Sequence, residues 1–276
     1  MSPARILIIA GSDSGGGAGI QADIKTVTAL GGYAMTAVTA LTAQNTRGVQ
    51  GVVGIEPAFI REQIRSVVDD IGVDCVKTGM LHDRSVIDAV ADELQRCAGH
   101  VPWVIDPVMV AQSGDRLVAD DGMAYLRDRL IPDARLITPN IPEAQALLGR
   151  PIESAAAMDE AARALLALGC EAVLLKGGHL DGETLIDVLA TAEGNQRFEH
   201  PRIATTSDHG TGCTLASAIA EGLGRELPLD AAVHRGRDYL HDALATATPL
   251  GHGHGPVNHS HTVAPYGLKG TDNEQT

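Results

Sequence analysis

Short runs of consecutive apolar, largely β-branched residues recur along the chain, and most of them stop at a Gly, Asp or Asn. The run 6–10 meets Gly11, 75–78 meets Gly79, 103–105 meets Asp106, 136–138 stops just before Asn140, and 172–175 meets Lys176-Gly-Gly. Between them, residues 59–71, 84–96 and 155–168 carry apolar side chains at steps of three and four, the period of a helix with one buried face. Strands alternating with helices predict an α/β fold with a mostly parallel central sheet covered by helices on both faces. Hydrophobicity that is continuous rather than alternating within the strands fits burial on both sides. In open sheets of this kind ligands sit beyond the carboxyl ends of the strands, and the polar residues just named all fall there.

No repeat, linker or low-complexity block divides the 276 residues before Pro249. The expectation is therefore one domain spanning 1–276, with a polar C-terminal tail disordered from about 270. Lys and Arg total 21 against 35 Asp and Glu, a net charge of −14 with no basic run, which makes nucleic acid an improbable partner by charge alone. Only two Phe and one Trp are present, too few for base-stacking platforms. The apolar stretch near the start is too short for a signal peptide or a spanning helix, so the expected place is the cytoplasm, with no membrane partner. Cys75, Cys97, Cys170 and Cys213 form no C-x-x-C pair, which argues against a disulfide framework and a zinc knuckle.

The richest segment is Thr205-Thr-Ser-Asp-His-Gly-Thr-Gly-Cys213, where small residues run straight into an apolar helical pattern. A helix start leaves its first N–H groups unpaired and carries partial positive charge, so such a turn suits phosphate oxygens. It is neither a Walker A loop nor a G-x-G-x-x-G fingerprint, and a plain Gly-containing cap is an equal reading of these residues alone.

With that turn the chain resembles the ribokinase-like superfamily. Within it, the chain is similar to the hydroxymethylpyrimidine and phosphomethylpyrimidine kinases of thiamine biosynthesis. The likeness rests on Gly11-Ser-Asp-Ser-Gly-Gly-Gly-Ala-Gly-Ile-Gln-Ala-Asp-Ile-Lys, Thr39-Ala-Leu-Thr-Ala-Gln-Asn-Thr, Asp106-Pro-Val-Met, Thr138-Pro-Asn-x-x-Glu143, Lys176-Gly-Gly-His and the Gly210–Cys213 turn, in order from residue 6 to about 261. It implies an ATP-dependent kinase that phosphorylates 4-amino-5-hydroxymethyl-2-methylpyrimidine to its monophosphate and then its diphosphate, with Mg²⁺. It also implies a homodimer.

The resemblance assigns Gly210, Thr211, Gly212 and Cys213 to catalysis, the glycine turn as an anion hole and Cys213 where most of the superfamily has an aspartate base. A thiol has a pKa of roughly 8.5 that a helix N-terminus can lower, so a Cys213 thiolate is the expected base, with a small packed residue as the alternative. Gly11, Asp23 and Gln44 are expected at the pyrimidine. Gln44 can match paired donor and acceptor atoms, and Met80 and Val108 would supply apolar walls. Lys176 and Asn140 are expected at the ATP phosphates, and Asp106 and Glu143 at the metal through water, since Mg²⁺ keeps several waters and takes few protein ligands. The histidines at 252, 254, 259 and 261 read as a loop near the nucleotide rather than a metal cluster. Two other readings stay open: a pyridoxal or pyridoxine kinase, and a non-catalytic heterocycle-binding protein on the same fold.

Overall fold

The structure is a computed structural model that describes residues 2–109, 122–180, 182–264 and 266. The tail expected to be disordered from about 270 lies outside the described residues.

Among the described residues nine strands form one continuous sheet in the order β3-β2-β1-β4-β5-β6-β7-β8-β9. Its parallel centre is β2 (Tyr33–Asn45), β1 (Arg5–Asp13), β4 (Cys75–Thr78), β5 (Trp103–Ile105), β6 (Leu136–Ile137) and β7 (Ala172–Leu175). Antiparallel strands close both sides: β3 (Gly48–Gly54) on β2, and β8 (Thr184–Thr191) with β9 (Gly194–Pro201) on β7. The mostly parallel α/β reading is met, and three of the predicted strands begin and end where the apolar runs do.

The central strands are apolar throughout because each feeds two cores. On β1, Leu7 and Ile9 join one cluster, while Ile6, Ile8 and Ala10 join the other. The same split divides Val173 and Leu175 from Ala172 and Leu174 on β7. The first cluster lies under α2 (Pro57–Asp70), α3 (Arg84–Cys97), α4 (Gly122–Arg129), α5 (Ile141–Leu148) and α6 (Ala155–Leu166). The second lies under α1 (Gly19–Ala29), α7 (Thr211–Gly224) and α8 (Leu229–Ala245). Side chains that alternate across a strand need both faces dry only when helices cover both, as here.

Local chemistry sets where several helices begin. Asp83 caps α3 by accepting from Val86 N at 3.0 Å, and Ser154 caps α6 through Ala157 N at 3.3 Å. At α5, Asn140 accepts from Glu143 N at 2.9 Å while Glu143 Oε2 accepts from Asn140 N at 2.7 Å, a reciprocal capping box. Among the described residues no helix is long and apolar enough to cross a membrane.

Candidate active site

Because β1, β4, β5, β6 and β7 run parallel, their carboxyl ends share one edge of the sheet. Beyond that edge lies a cavity of about 610 Å³. Its lining includes Gly11, Gln44, Met80, Asp106, Val108, Asn140, Glu143, Lys176 and the whole turn Gly210–Cys213. The strand order lays these out in sequence. Gln44, Gly11, Met80 and Val108 come from the β2, β1, β4 and β5 end, and Lys176 from the β7 end. The amino end of α7 stands between them.

That amino end is open. Gly210 is the N-cap of α7 in a left-handed conformation (φ 86°), and no side chain caps the helix. A Cβ at Gly210 would fall 1.9 Å from the Gly17 carbonyl oxygen, so glycine is demanded both by the backbone angle and by the first glycine turn pressed against it. A Cβ at Gly212 would lie 3.2 Å from Lys176 Nζ and 3.6 Å from Asp106 Oδ2. The bare helix end thus lets an ammonium and a carboxylate reach the place where helix N–H groups concentrate positive potential.

Asp106 Oδ1 accepts from Thr138 Oγ1 at 2.9 Å and from Lys176 Nζ at 3.1 Å. Burial works against the Lys176 ammonium, but Asp106 and Glu143 outweigh it and hold its pKa above the ordinary lysine value. Glu143 goes the other way: burial, reinforced by nearby Asp106 and opposed by Lys176, pushes its carboxyl up to about 7. Two carboxylates facing one ammonium leave this corner short of positive charge. Asn140 spends its side-chain oxygen on the cap of α5, so toward a ligand it has its amide N–H groups to offer.

At the other end, Gly11 lets Met80 lean in, since a Cβ there would sit 3.2 Å from the methionine sulfur. Gln44 sits on β2 where the pairing with β3 shifts register. Its backbone N–H donates to Ser14 Oγ at 2.8 Å, tying it to the first glycine turn.

Asp23 is placed differently from the expectation. It does not line the cavity and is 0% exposed, with its oxygens 2.8 and 2.9 Å from Lys77 Nζ and 2.6 Å from Ser217 Oγ. Both of its oxygens accept from groups inside the protein. Asp23 lies beneath the site, between α1 and α7, because the period of α1 turns it toward Lys77 of β4 and Ser217 of α7. The expected lowering of Cys213 is also reversed: burial pushes its thiol up to about 11, despite the Lys77 ammonium and a bond from Gly19 N–H that favour the thiolate. Burial costs the thiolate more here than the helix end and the Lys77 ammonium return. All four cysteines are free thiols.

The Gly-His-rich stretch after Leu250 folds back onto the site. His254 N donates to Thr46 O at 2.8 Å, Gly255 N to Thr206 O at 2.8 Å, and His209 N to Gly255 O at 2.9 Å. His259 Nε2 lies 2.9 Å from Thr214 Oγ1 on α7. The stretch therefore clamps the β2–β3 turn and the anion-hole turn, the pyrimidine side of the cavity rather than the end toward β8. Among the described residues no group of three or more His, Cys, Asp or Glu could hold a metal ion.

Toward β8 and β9 the cavity is lined by Leu185, Asp187, His200, Arg237, Leu240 and His241. Arg237 Nε donates to Asp187 Oδ2 at 2.9 Å, and Asp187 Oδ1 accepts from Gly177 N at 2.9 Å, so this pair anchors the turn that follows Lys176. None of these six was expected from the sequence. Nor were Asp13 and His209, although each sits inside a quoted segment, or Lys77, which lies in the apolar run 75–78.

A nucleotide-sized cavity at the switch side of a doubly covered sheet, with a bare helix end and a lysine converging in it, is the arrangement of the ribokinase-like phosphotransferases. An ADP complex of Bacillus subtilis pyridoxal kinase superposes with a TM-score of 0.87 at 36% identity, covering 94% of this chain and 98% of that one. The family model described as phosphomethylpyrimidine kinase matches residues 13–258, and the chain belongs to that family. It is 50% identical over 264 residues to the hydroxymethylpyrimidine/phosphomethylpyrimidine kinase of Escherichia coli, covering 95% of this chain and 99% of that protein. It is 52% identical over 254 residues, 92% of this chain, to a bifunctional thiamine biosynthesis protein of Geobacter sulfurreducens, of whose length it spans 52%.

Proposed function

We propose that the chain, as one kinase domain, uses ATP to phosphorylate 4-amino-5-hydroxymethyl-2-methylpyrimidine and then the resulting monophosphate, in thiamine diphosphate biosynthesis. The observation that carries this reading is the convergence of Lys176 Nζ, Asp106 and the open end of α7 at Gly212, midway between the Gln44 end and the β8 end of one cavity. Phosphoryl transfer passes through a loose transition state that needs positioning and charge stabilisation more than covalent help. Donors of α7 and the Lys176 ammonium face the equatorial oxygens. Gln44, Gly11, Met80 and Val108 hold the heterocycle, and Asn140 and the β8 end hold the nucleotide.

Mg²⁺ fits the donor set. Asp106 Oδ2 and the Glu143 oxygen not used by the cap are hard oxygen ligands, and the raised Glu143 carboxyl marks a corner that a cation would relieve. When bound, the ion neutralises charge between the nucleotide phosphates and the transferred group.

The first transfer moves a hydroxymethyl proton, for which Cys213 is the base in its thiolate form. The second attacks from a phosphate monoester that is already anionic and needs none. With the thiol at about 11, the thiolate fraction grows about tenfold per pH unit below that value. Coupled ADP-release assays with each substrate should therefore show the first transfer rising between roughly pH 7 and 9 and the second nearly flat. Cys213→Ala should depress the first selectively and remove its rise. Equal loss in both steps would discard the thiolate, and binding without ADP release would discard the kinase.

The Bacillus subtilis neighbour is a pyridoxal kinase, which favours pyridoxal as a second reading. Faster turnover of pyridoxine than of the pyrimidine in the same assay would select it. A homodimer is supported by the free edge at β3, where Leu41 pairs with Val53 (65% exposed) and Phe59 of α2 is also exposed. Val53→Asp should shift the protein to monomer in sedimentation, and an unchanged mass would reject this interface. Cytoplasmic residence suits four free thiols and is checked by cell fractionation.

A further inference from the structure

His209, one residue before the anion-hole turn, is held between two parts of the site. Its Nε2 lies 3.1 Å from Asp13 Oδ2 and 3.3 Å from the amide end of Gln44. The ring fits only because residue 17 has no side chain: a Cβ at Gly17 would fall 2.4 Å from His209 Cδ2.

Asp13 is an acceptor here. Its Oδ2 accepts from Gly17 N at 2.9 Å and Ala18 N at 2.8 Å, and Oδ1 accepts from Gly15 N at 2.7 Å. Burial opposes its charge, but His209 and these N–H groups hold the carboxyl below the usual range. A carboxylate at 3.1 Å requires His209 Nε2 to carry a proton. A second N–H cannot then point at the same nitrogen.

The two ends of a carboxamide have the same shape, so hydrogen bonding decides which is which. Thr42 Oγ1 lies 3.0 Å from Ser12 O and 3.2 Å from the other end of Gln44. With oxygen at that end, one hydroxyl hydrogen would face two acceptors. With nitrogen there, Thr42 donates to Ser12 O and accepts from Gln44, and the Gln44 oxygen takes the longer branch of the His209 N–H that Asp13 also accepts. No two donors then face each other, and the carboxylate and the carboxamide oxygen share one N–H. One Gln44 N–H and one lone pair of its oxygen remain, side by side, at the cavity wall.

We propose that His209, fixed by Asp13, is a positioning residue that sets the carboxamide of Gln44 with its donor and acceptor in the order that matches an aminopyrimidine edge, so that His209 determines which heterocycle the site prefers. This rests on the pyrimidine kinase reading above. The same residue precedes Gly210, so the element that orders the substrate edge is covalently joined to the anion hole.

The test compares kcat and KM for the hydroxymethyl-aminopyrimidine and for pyridoxine in the wild type, His209→Phe and His209→Gln. Phe removes the donor; Gln keeps an N–H at the Nε2 position. Phe should raise KM for the pyrimidine roughly tenfold, the worth of one such hydrogen bond. It should change kcat and the pyridoxine KM far less, and Gln should restore most of the loss. Equal changes for both substrates, a fall in kcat alone, or Phe and Gln equally impaired would overturn the proposal. ¹⁵N-histidine spectra of the wild type, with His209 assigned by comparison with His209→Gln, test the geometry without any substrate. Protonated Nε2 is expected, and a ring protonated only at Nδ1 overturns the assignment. A wild type that turns over pyridoxine but not the pyrimidine would defeat the functional reading, and the histidine spectrum would still decide the positioning claim.

Discussion

Lys176→Met should cut kcat/KM for the pyrimidine by about 10²–10³-fold, the usual cost of removing one preorganised donor to a developing anion, while leaving the fold standing. The ammonium is held by Asp106 Oδ1 at 3.1 Å and reaches the bare helix end at Gly212. Asp106 and Glu143 overcome burial to keep it charged. A methionine fills the same volume but offers no charge, and it leaves two carboxylates facing each other where phosphates must enter. The effect should therefore fall on kcat as well as on KM for ATP. Steady-state rates beside a thermal melt check this, and a loss below about tenfold at unchanged melting temperature would remove Lys176 from transition-state stabilisation.

The largest effect on stability is expected from Lys77→Met, a loss of about 3–5 kcal/mol, because removing one member of a buried ion pair strands the other charge. Lys77 and Asp23 are both 0% exposed, and each Asp23 oxygen lies within 2.9 Å of the ammonium. Burial alone would lower the lysine; the Asp23 carboxylate outweighs it and raises it instead. With Met at 77, Asp23 keeps only the Ser217 hydroxyl. The double variant Lys77→Met with Asp23→Leu should recover much of the loss, since an apolar pair can replace a buried ionic one at little cost. Urea titrations of the three proteins measure this. A single variant within about 1 kcal/mol of wild type, or a double variant no better than the single, would contradict the stranded-charge account.

Much of the fold was legible because the central strands are dry on both faces. Residues 75–78, 103–105 and 172–175 show as unbroken apolar runs, and β4, β5 and β7 span those same residues. β2 and β8 did not show: β8 begins exposed and turns buried halfway, and β2 alternates. β9 reads Gly-Asn-Gln-Arg-Phe-Glu-His-Pro, with Phe198 its one buried side chain. Such strands owe their state to a neighbour in the sheet, which a local pattern does not contain.

The motif residues at strand ends and at the helix start could be assembled from sequence because parallel order brings those ends together. Asp23 was grouped with motif neighbours that reach the cavity, while its own helical phase turns it inward onto Lys77. His209 and Asp13 were overlooked because a histidine and an aspartate in a glycine-rich turn look like ordinary turn chemistry. Only their distance across 196 residues reveals the pairing. The rise of Cys213 needed the depth of its surroundings.

The Gly-His stretch after Leu250 gives the chain a schedule. Thr46, Thr206, His209 and Thr214 each find a partner between residues 254 and 259. The sheet, both helical layers and every side chain assigned to the pyrimidine or the phosphates are synthesised before that stretch. A nascent chain can build both cores before residues 254–259 arrive to latch the wall between heterocycle and anion hole.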